Sequence, residues 1–216
     1  LESYGMTEGA SQICANPLHG PRKPGSVGLP VGVSLRVVDA VGDECRPYEV
    51  GQVTLQGPTI ITAYESPGYD DRFRDGWLLT GDLGYLDSDG YVFLVGRTDD
   101  VINRGGEKIM PREIEEILTQ IPGVAGAVVV GEADDVFGQV PVAYIELEGL
   151  ASAGDISAHE ALVATCRQTL LDSLPRGRRP DRMVVVDALP RHATGKIQRG
   201  AVRAGDVRTL MSVAIS

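Results

Sequence analysis

The chain has 216 residues, with 30 acidic against 20 basic side chains, a formal net charge of −10 and 43% hydrophobic content. That is the make-up of a soluble globular protein long enough for one or two cores, and the acidic balance argues against a general binder of nucleic acid or anionic membranes. Only 5% of the residues are aromatic, so aliphatic side chains must carry the packing.

The first stretch reads as β-rich. The runs VSLRVVD (33–39), GQVTLQG (51–57), LGYLD (83–87) and YVFLVG (91–96) are short, alternating or β-branched, and bounded by Gly, Pro and Asp. Between the last two, SDG at 88–90 is a tight-hairpin signal, because Asp-Gly tolerates positive φ. Strands this short with turns this frequent predict a small barrel or sandwich. From about residue 100 the period changes. PREIEEILTQI (111–121) sets Ile114, Ile117, Leu118 and Ile121 on one helical face, with Pro111 in the first turn and Glu113, Glu115 and Glu116 complementing the helix start. Strands are expected at GAVVVG (126–131) and at VAYIELE (142–148), where Ala143, Ile145 and Leu147 alternate inward. A second helix is expected from Ser157, with Glu160 completing a capping box, Leu162, Cys166, Leu170 and Leu174 on its buried face, and Pro175 ending it. MVVVD (183–187) reads as a strand and 190–199 as a polar loop. This half is expected to be a compact α+β domain.

Cys14, Cys45 and Cys166 are odd in number and far apart, which predicts free thiols and a reducing, cytoplasmic setting. His19, His159 and His192 are equally scattered, so no His/Cys zinc site is visible. No run approaches the ~18 apolar residues of a membrane span, and no signal peptide opens the chain. Position 1 is a Leu running straight into a dense motif, so the chain is expected to be a piece of something longer. Acidic residues crowd 70–100 and arginines crowd 176–203. Such a basic tail reads either as solvated surface or as a site for a phosphorylated small molecule.

Three polar clusters suit a nucleotide. In YGMTE (4–8), the Thr7 hydroxyl can bond a phosphate oxygen and the Glu8 carboxylate is a hard ligand for Mg2+; a capped turn fits the same residues. In LLTGDLG (78–84), Asp82 follows a Gly at the end of an apolar strand, where a carboxylate can accept both ribose hydroxyls. In TGKIQRG (194–200), Lys196 sits in a loop from which it can reach a phosphate as a mobile point charge, or simply solubilise the surface.

Taken in order, Y-G-x-T-E, T-G-D, G-R-x-D-D with R-G-G-E-K-I-x-P-x-E-I-E, and P-x-x-x-T-G-K-I-x-R resemble the adenylate-forming superfamily, which includes acyl-CoA synthetases, peptide-synthetase adenylation domains and firefly luciferase. The resemblance runs from Tyr4 to Arg199. It implies an α+β fold in two parts: residues 1–98 as the β-rich, distorted-barrel end of the large N-terminal domain, and 99–216 as the small, mobile C-terminal domain. It implies that Tyr4 stacks on adenine, Thr7 contacts the α-phosphate, Glu8 holds Mg2+, and Asp82 grips the ribose with Arg97 nearby. Asp99 is implied as the hinge of a domain rotation, and Lys196 as the cation bridging the acyl carboxylate and the α-phosphate. Gly105 and Gly106 are either a plain tight turn or the place where a pantetheine arm passes close to the backbone, and Arg104, Arg176, Arg178 and Arg179 are candidates for the nucleotide end of CoA.

KPGSVGLPVG (23–32), INRGGEKI (102–109) and GKIQR (195–199) look most like free-standing AMP-forming acyl-CoA ligases, including those for oxalate and for fatty or aromatic acids. The expected cofactors are ATP, Mg2+ and CoA, and the expected partner is a carboxylic acid. Two alternatives stand beside this reading. One is an acyl ligase loading a carrier protein in polyketide or peptide assembly; the other is a non-catalytic fragment that keeps only the fold. LDSL (171–174) imitates a phosphopantetheine site, but it lies in an apolar-faced helix before Pro175, and Ser173 reads as structural. The family's glycine- and Ser/Thr-rich phosphate loop has no counterpart in these residues, so the chain alone is expected not to complete adenylation.

Overall fold

The computed structural model describes residues 2–65, 68, 70–149 and 159–215, and they form two compact units, Leu1–Asp99 and Asp100–Ser216. The expected capping box at Ser157 lies outside the described residues.

The first unit is built of short antiparallel pairings. β1 (Ser3–Tyr4), β2 (Cys14–Ala15) and β3 (Leu29–Pro30) make a three-stranded sheet. β4 (Ser34–Val38), β5 (Gly51–Gln56), β6 (Phe73–Arg74), β7 (Trp77–Leu86) and β8 (Val92–Arg97) make a five-stranded one. β5 lies along one side of β7, while β6 and β8 share its other side, one at each end. The α+β class is as the sequence implies, but the barrel does not close: among the described residues β4 stays at one edge, and β8 is continued only by a single bridge from Val92 to Gly28. Register breaks at Gln52/Thr54 and Leu83/Gly84 bend β7 without bringing β4 and β8 together. β7 also begins six residues before the expected strand at 83, because Leu78 and Thr80 continue its buried face through the TGD motif. The core gathers Ile13, Val37, Val53, Leu55, Leu78 and Val92. The SDG turn closes as its sequence demands: the Asp87 carboxylate accepts the Asp89 and Tyr91 amides, each at 2.9 Å, and is paired with Lys23.

The second unit is one mixed sheet flanked by helices. β9 (Ile102–Arg104) and β10 (Glu107–Ile109) form a hairpin, α1 spans Pro111–Thr119, and β11 (Val124–Asp134) pairs antiparallel with β12 (Gly138–Leu147). α2 (Glu160–Ser173) crosses over to β13 (Arg182–Val186), which runs parallel to β12. α3 (Arg199–Arg203) and β14 (Thr209–Ala214) complete the unit; neither was legible in the sequence. α1 ends two residues early, and Ile121 still reaches the core. The central strands are buried on both faces. Val129, Ala143, Ile145 and Met183 pack under α1 and α2, while Val128, Val130, Val142 and Val184 pack against Leu189 and Val202. This explains the continuous apolar runs AVVV and MVVV, which simple alternation does not. Each fully buried aliphatic here contributes about 1.5–3 kcal/mol.

Candidate functional site

In the first unit, the sequence motifs converge on Asp82. Its carboxylate is held from two sides. The Tyr4 hydroxyl donates to Oδ2 at 2.5 Å, and Arg97 Nη1 lies 2.9 Å from Oδ1. Arg97 is the register partner of Asp82 across the β7–β8 pair, so hairpin pairing itself delivers the cation. The Asp82 amide donates to Thr80 Oγ1 (3.0 Å), whose hydroxyl donates to the Val53 carbonyl (2.8 Å). Asp82 therefore sits within β7, not at a strand end as expected. Tyr4 is only 8% exposed and belongs to the core. Burial, then the neighbouring Asp82 charge, push its phenol well above the usual range, so it stays a proton donor. Each Asp82 oxygen keeps a lone pair for another donor.

Thr7 and Glu8 lie in a 3-10 turn, Thr7–Gly9, just after β1. The turn exits through Ala10 and Ser11 at φ of 52° and 89°, and the Ala10 amide closes on the Thr7 carbonyl at 3.2 Å. The motif's glycine is required by this fold-back: a Cβ on Gly5 would stand 1.6 Å from the Ser11 carbonyl oxygen. Thr7 is exposed. Glu8 Oε1 accepts from the Tyr64 hydroxyl (3.0 Å). Among the described residues there is no group of three or more His, Cys, Asp or Glu able to hold a metal. A single half-buried carboxylate fits Mg2+, which keeps its waters and takes phosphate oxygens, better than zinc.

In the second unit, Gly105 and Gly106 are the two central residues of the β9–β10 hairpin, at φ of 56° and 96°, which is the backbone a two-residue turn of this hand demands. The Gly105 amide donates to the Phe137 carbonyl at 2.8 Å. Beside this turn lies a cavity of about 490 Å3 lined by Arg104, Phe137, Arg176, Arg179 and Asp181 among others. Most of its arginines are already engaged. Arg104 pairs with Asp181 at 2.8 Å and lies 5.0 Å from the Phe137 ring centre. Arg179 donates to the Leu171 and Leu174 carbonyls at the end of α2; Arg178, which is not part of the lining, pairs with Glu107 and Glu113. Arg176 has no ion pair among the described residues.

Lys196 is exposed, and its ammonium has no partner among the described residues. Its loop is closed by backbone: the His192 amide donates to the Lys196 carbonyl and the Gly195 amide to the His192 carbonyl, both at 2.8 Å, with a bridge between Arg191 and Ile197. Asp99 is exposed in the 3-10 turn Thr98–Asp100 where one unit ends and the next begins.

The structure thus brings Tyr4, Asp82 and Arg97 together, keeps Thr7 and Glu8 on one turn, and gathers Arg104 and Gly105 at one cavity. Thr80, Tyr64, Phe137 and Asp181 were missed by sequence reasoning. Thr80 shares the face of Asp82 by period-two spacing and was recoverable; Tyr64 and Phe137 reach their partners from distant loops and left no local signal.

Two family models match the chain: "AMP-binding enzyme" over residues 1–65 and "AMP-binding enzyme C-terminal domain" over 113–196. Oxalate–CoA ligase of Arabidopsis thaliana is 39% identical over 207 residues, which is 94% of this chain and 38% of that protein. Among solved structures, ATP-bound MatB of Rhodopseudomonas palustris is 33% identical with a TM-score of 0.82, covering 94% of this chain and 40% of that one. The O-succinylbenzoate coenzyme A synthetase of Bacillus subtilis in complex with ATP and magnesium ion is 36% identical with a TM-score of 0.75, covering 92% and 40%. The chain therefore spans about two fifths of the length of the relatives it matches. With both family models matched in order and the likeness running along nearly its whole length, the chain belongs to the adenylate-forming AMP-binding enzyme family.

Proposed function

We propose that this chain is the C-terminal portion of an AMP-forming carboxylate–CoA ligase, acting in the cytoplasm as part of a longer protein. The observation that carries the reading is the Asp82 carboxylate, fixed by Tyr4 and Arg97 with a lone pair free on each oxygen. Such a group accepts two vicinal ribose hydroxyls without having to be organised first. Residues 1–98 then form the end of the large domain and 99–216 the small one; the division of contacts after Asp99 supports a hinge there.

In the first half-reaction an oxygen of the acid's carboxylate forms a bond to the α-phosphorus of ATP, and the bond from that phosphorus to pyrophosphate breaks, the electron pair leaving with pyrophosphate. Both reactants are anions, so charge neutralisation and alignment matter more than proton transfer. Lys196 supplies a positive charge between carboxylate and α-phosphate, and the Thr7 hydroxyl donates to a phosphate oxygen. Tyr4 borders the adenine side with the small part of its ring that is exposed. Glu8 would hold Mg2+, whose charge offsets that of the phosphates. In the second half-reaction the CoA thiol loses its proton to solvent and its sulfur bonds to the acyl carbon, while the bond from that carbon to the phosphate oxygen breaks and AMP leaves with the electron pair. Lys196 withdraws by rotation at Asp99, and the pantetheine arm passes the side-chain-free turn at Gly105 and Gly106. Arg176, which has no ion pair among the described residues, meets a phosphate of CoA, with Arg104 holding the wall.

The test is ATP–pyrophosphate exchange by the longer protein against a panel of small dicarboxylic, aromatic and fatty acids. Exchange with at least one acid, lost on Lys196→Ala by about 100- to 1,000-fold, is the expected result. Exchange unaffected by that substitution would favour the fold-only reading. Competition between free CoA and a holo-carrier protein for the adenylate then identifies the acceptor, with CoA the expected winner. The 216-residue chain by itself should show no exchange.

A further inference from the structure

Lys196 sits on a loop with little packing of its own, so something outside the loop must fix where its ammonium points. The entry side is tied to β12: the Leu189 amide and Arg191 Nη2 both reach Glu146 Oε2, at 3.0 and 3.1 Å. The exit side is tied by Arg199, three residues beyond the lysine and first in α3. Its guanidinium spans three elements at once. Nη1 and Nη2 take the two Glu115 oxygens of α1 at 2.6 and 3.1 Å, and Nη1 also donates to the Val129 carbonyl of β11. Nε lies 3.3 Å from Asp100 Oδ2, while Arg203 approaches Oδ1 of the same residue at 3.6 Å. Glu115 closes the network by accepting the Val129 amide at 2.7 Å. The Arg199 side chain is 22% exposed, Glu115 16% and Asp100 24%, so the group is largely shielded from water and from salt.

This is more than a helix needs. Arg199 joins the lysine loop to Asp100, the first residue of its unit and the neighbour of Asp99. A planar fork is the only side chain able to hold one carboxylate bidentately, a second carboxylate and a carbonyl in a fixed geometry.

We propose that Arg199 is the positioning residue for Lys196: it locks the exit of the lysine loop to α1, β11 and Asp100, so that the ammonium and the start of the unit move as one body. The proposal rests on the reading of Lys196 as the adenylation cation. Its consequence is specific to one half-reaction. Adenylation needs the ammonium placed to within a fraction of an ångström, and a misplacement of about 1 Å costs on the order of 100-fold. Thioester formation, with the lysine withdrawn, does not need it there.

The experiment uses the full-length protein carrying Arg199→Ala, Arg199→Lys and Lys196→Ala. Single-turnover adenylate formation should fall on the order of 100-fold in R199A, with KM for ATP unchanged. Transfer from supplied acyl-adenylate to CoA should fall no more than about threefold, the scatter of a residue outside the reacting geometry. R199K should recover part of the adenylation loss, since it keeps the charge but not the fork. Equal losses in both half-reactions, or full recovery by Lys, would overturn the proposal. If K196A abolishes adenylation and R199A leaves it intact, the proposal fails alone; if K196A leaves it intact, the underlying reading fails as well. Amide exchange on the 216-residue chain gives a readout independent of activity and of R199A's stability in the longer protein. In R199A and R199K the His192, Gly195 and Gln198 amides should exchange at least about tenfold faster while the β12 and β13 amides are unchanged. Uniform acceleration across the unit would mean general loosening and would overturn it.

Discussion

The two units hold their polar residues in opposite ways. In the first, every group that reads as nucleotide-facing except Thr7 is locked by another side chain: Asp82 by Tyr4 and Arg97, Glu8 by Tyr64. In the second, Lys196 projects from a loop, its ammonium without a partner among the described residues; backbone bonds close the tip, and the ion pairs hold the loop's ends. The difference fits a division of labour between a fixed grip and a charge that must arrive and leave. Rigid hydrogen-bonded carboxylates cost nothing to organise when a ligand binds, whereas a lysine with no partner has no bond to break before it moves.

The largest expected effect tests whether each unit stands on its own core. Ile145→Ala removes a fully buried side chain from the second unit and should cost about 2–5 kcal/mol there. The single tryptophan, Trp77, lies in β7 of the first unit, so its fluorescence midpoint in urea should stay in place while the far-UV signal unfolds earlier. A fluorescence midpoint that moves equally would mean one cooperative core.

Next in size is the locked carboxylate. Tyr4→Phe removes a hydrogen bond to a charged group and should destabilise the first unit by about 1.5–3 kcal/mol. It should also remove the phenol's share of the alkaline pH dependence. Burial and the Asp82 charge hold the folded phenol well above its ordinary value of about 10, so its contribution is complete below pH 10 and is lost as pH climbs from there through the raised value. Urea midpoints at pH 9 and pH 11, on either side of that ordinary value, should diverge in the wild type and diverge less in Y4F, where the buried Cys14 thiol, itself pushed up to about 12, still titrates.

The smallest effect separates Arg176, at the second unit's cavity, from the ion-paired Arg178 just outside its lining. Arg176→Ala should raise KM for CoA about tenfold, the loss of one charge-assisted phosphate contact, and leave KM for ATP alone. Arg178→Ala, whose cation is already shared by Glu107 and Glu113, should change it about twofold or less. Equal effects would place the CoA phosphates elsewhere.

Most of the fold was legible where one face of an element is apolar. The helix face of Ile114 and Leu118, the SDG hairpin and the strands at 51–56 and 182–186 all follow from local period and turn chemistry. What was not legible depends on partners far along the chain. β14 is a strand because β13 offers an edge to it, not because TLMSVA demands one. The barrel stays open because, among the described residues, β4 pairs with neither β6 nor β8, and a pairing that is not made leaves no local signal. Tyr4, Asp82, Arg97 and Lys196 were legible as motifs, but the pairing of Asp82 with Arg97 across the hairpin was not, nor was the engagement of Arg104, Arg178 and Arg179. That is settled by carboxylates and carbonyls contributed from 107, 113, 171, 174 and 181.

The division between a fixed grip and a mobile charge is tested most directly by calorimetric titration of AMP into the full-length protein with Asp82→Ala or Lys196→Ala, paired with pyrophosphate exchange. The account predicts that D82A weakens AMP binding by at least about tenfold, while K196A binds AMP almost as the wild type does yet loses exchange. AMP affinity unchanged in D82A, or exchange preserved in K196A, would contradict it.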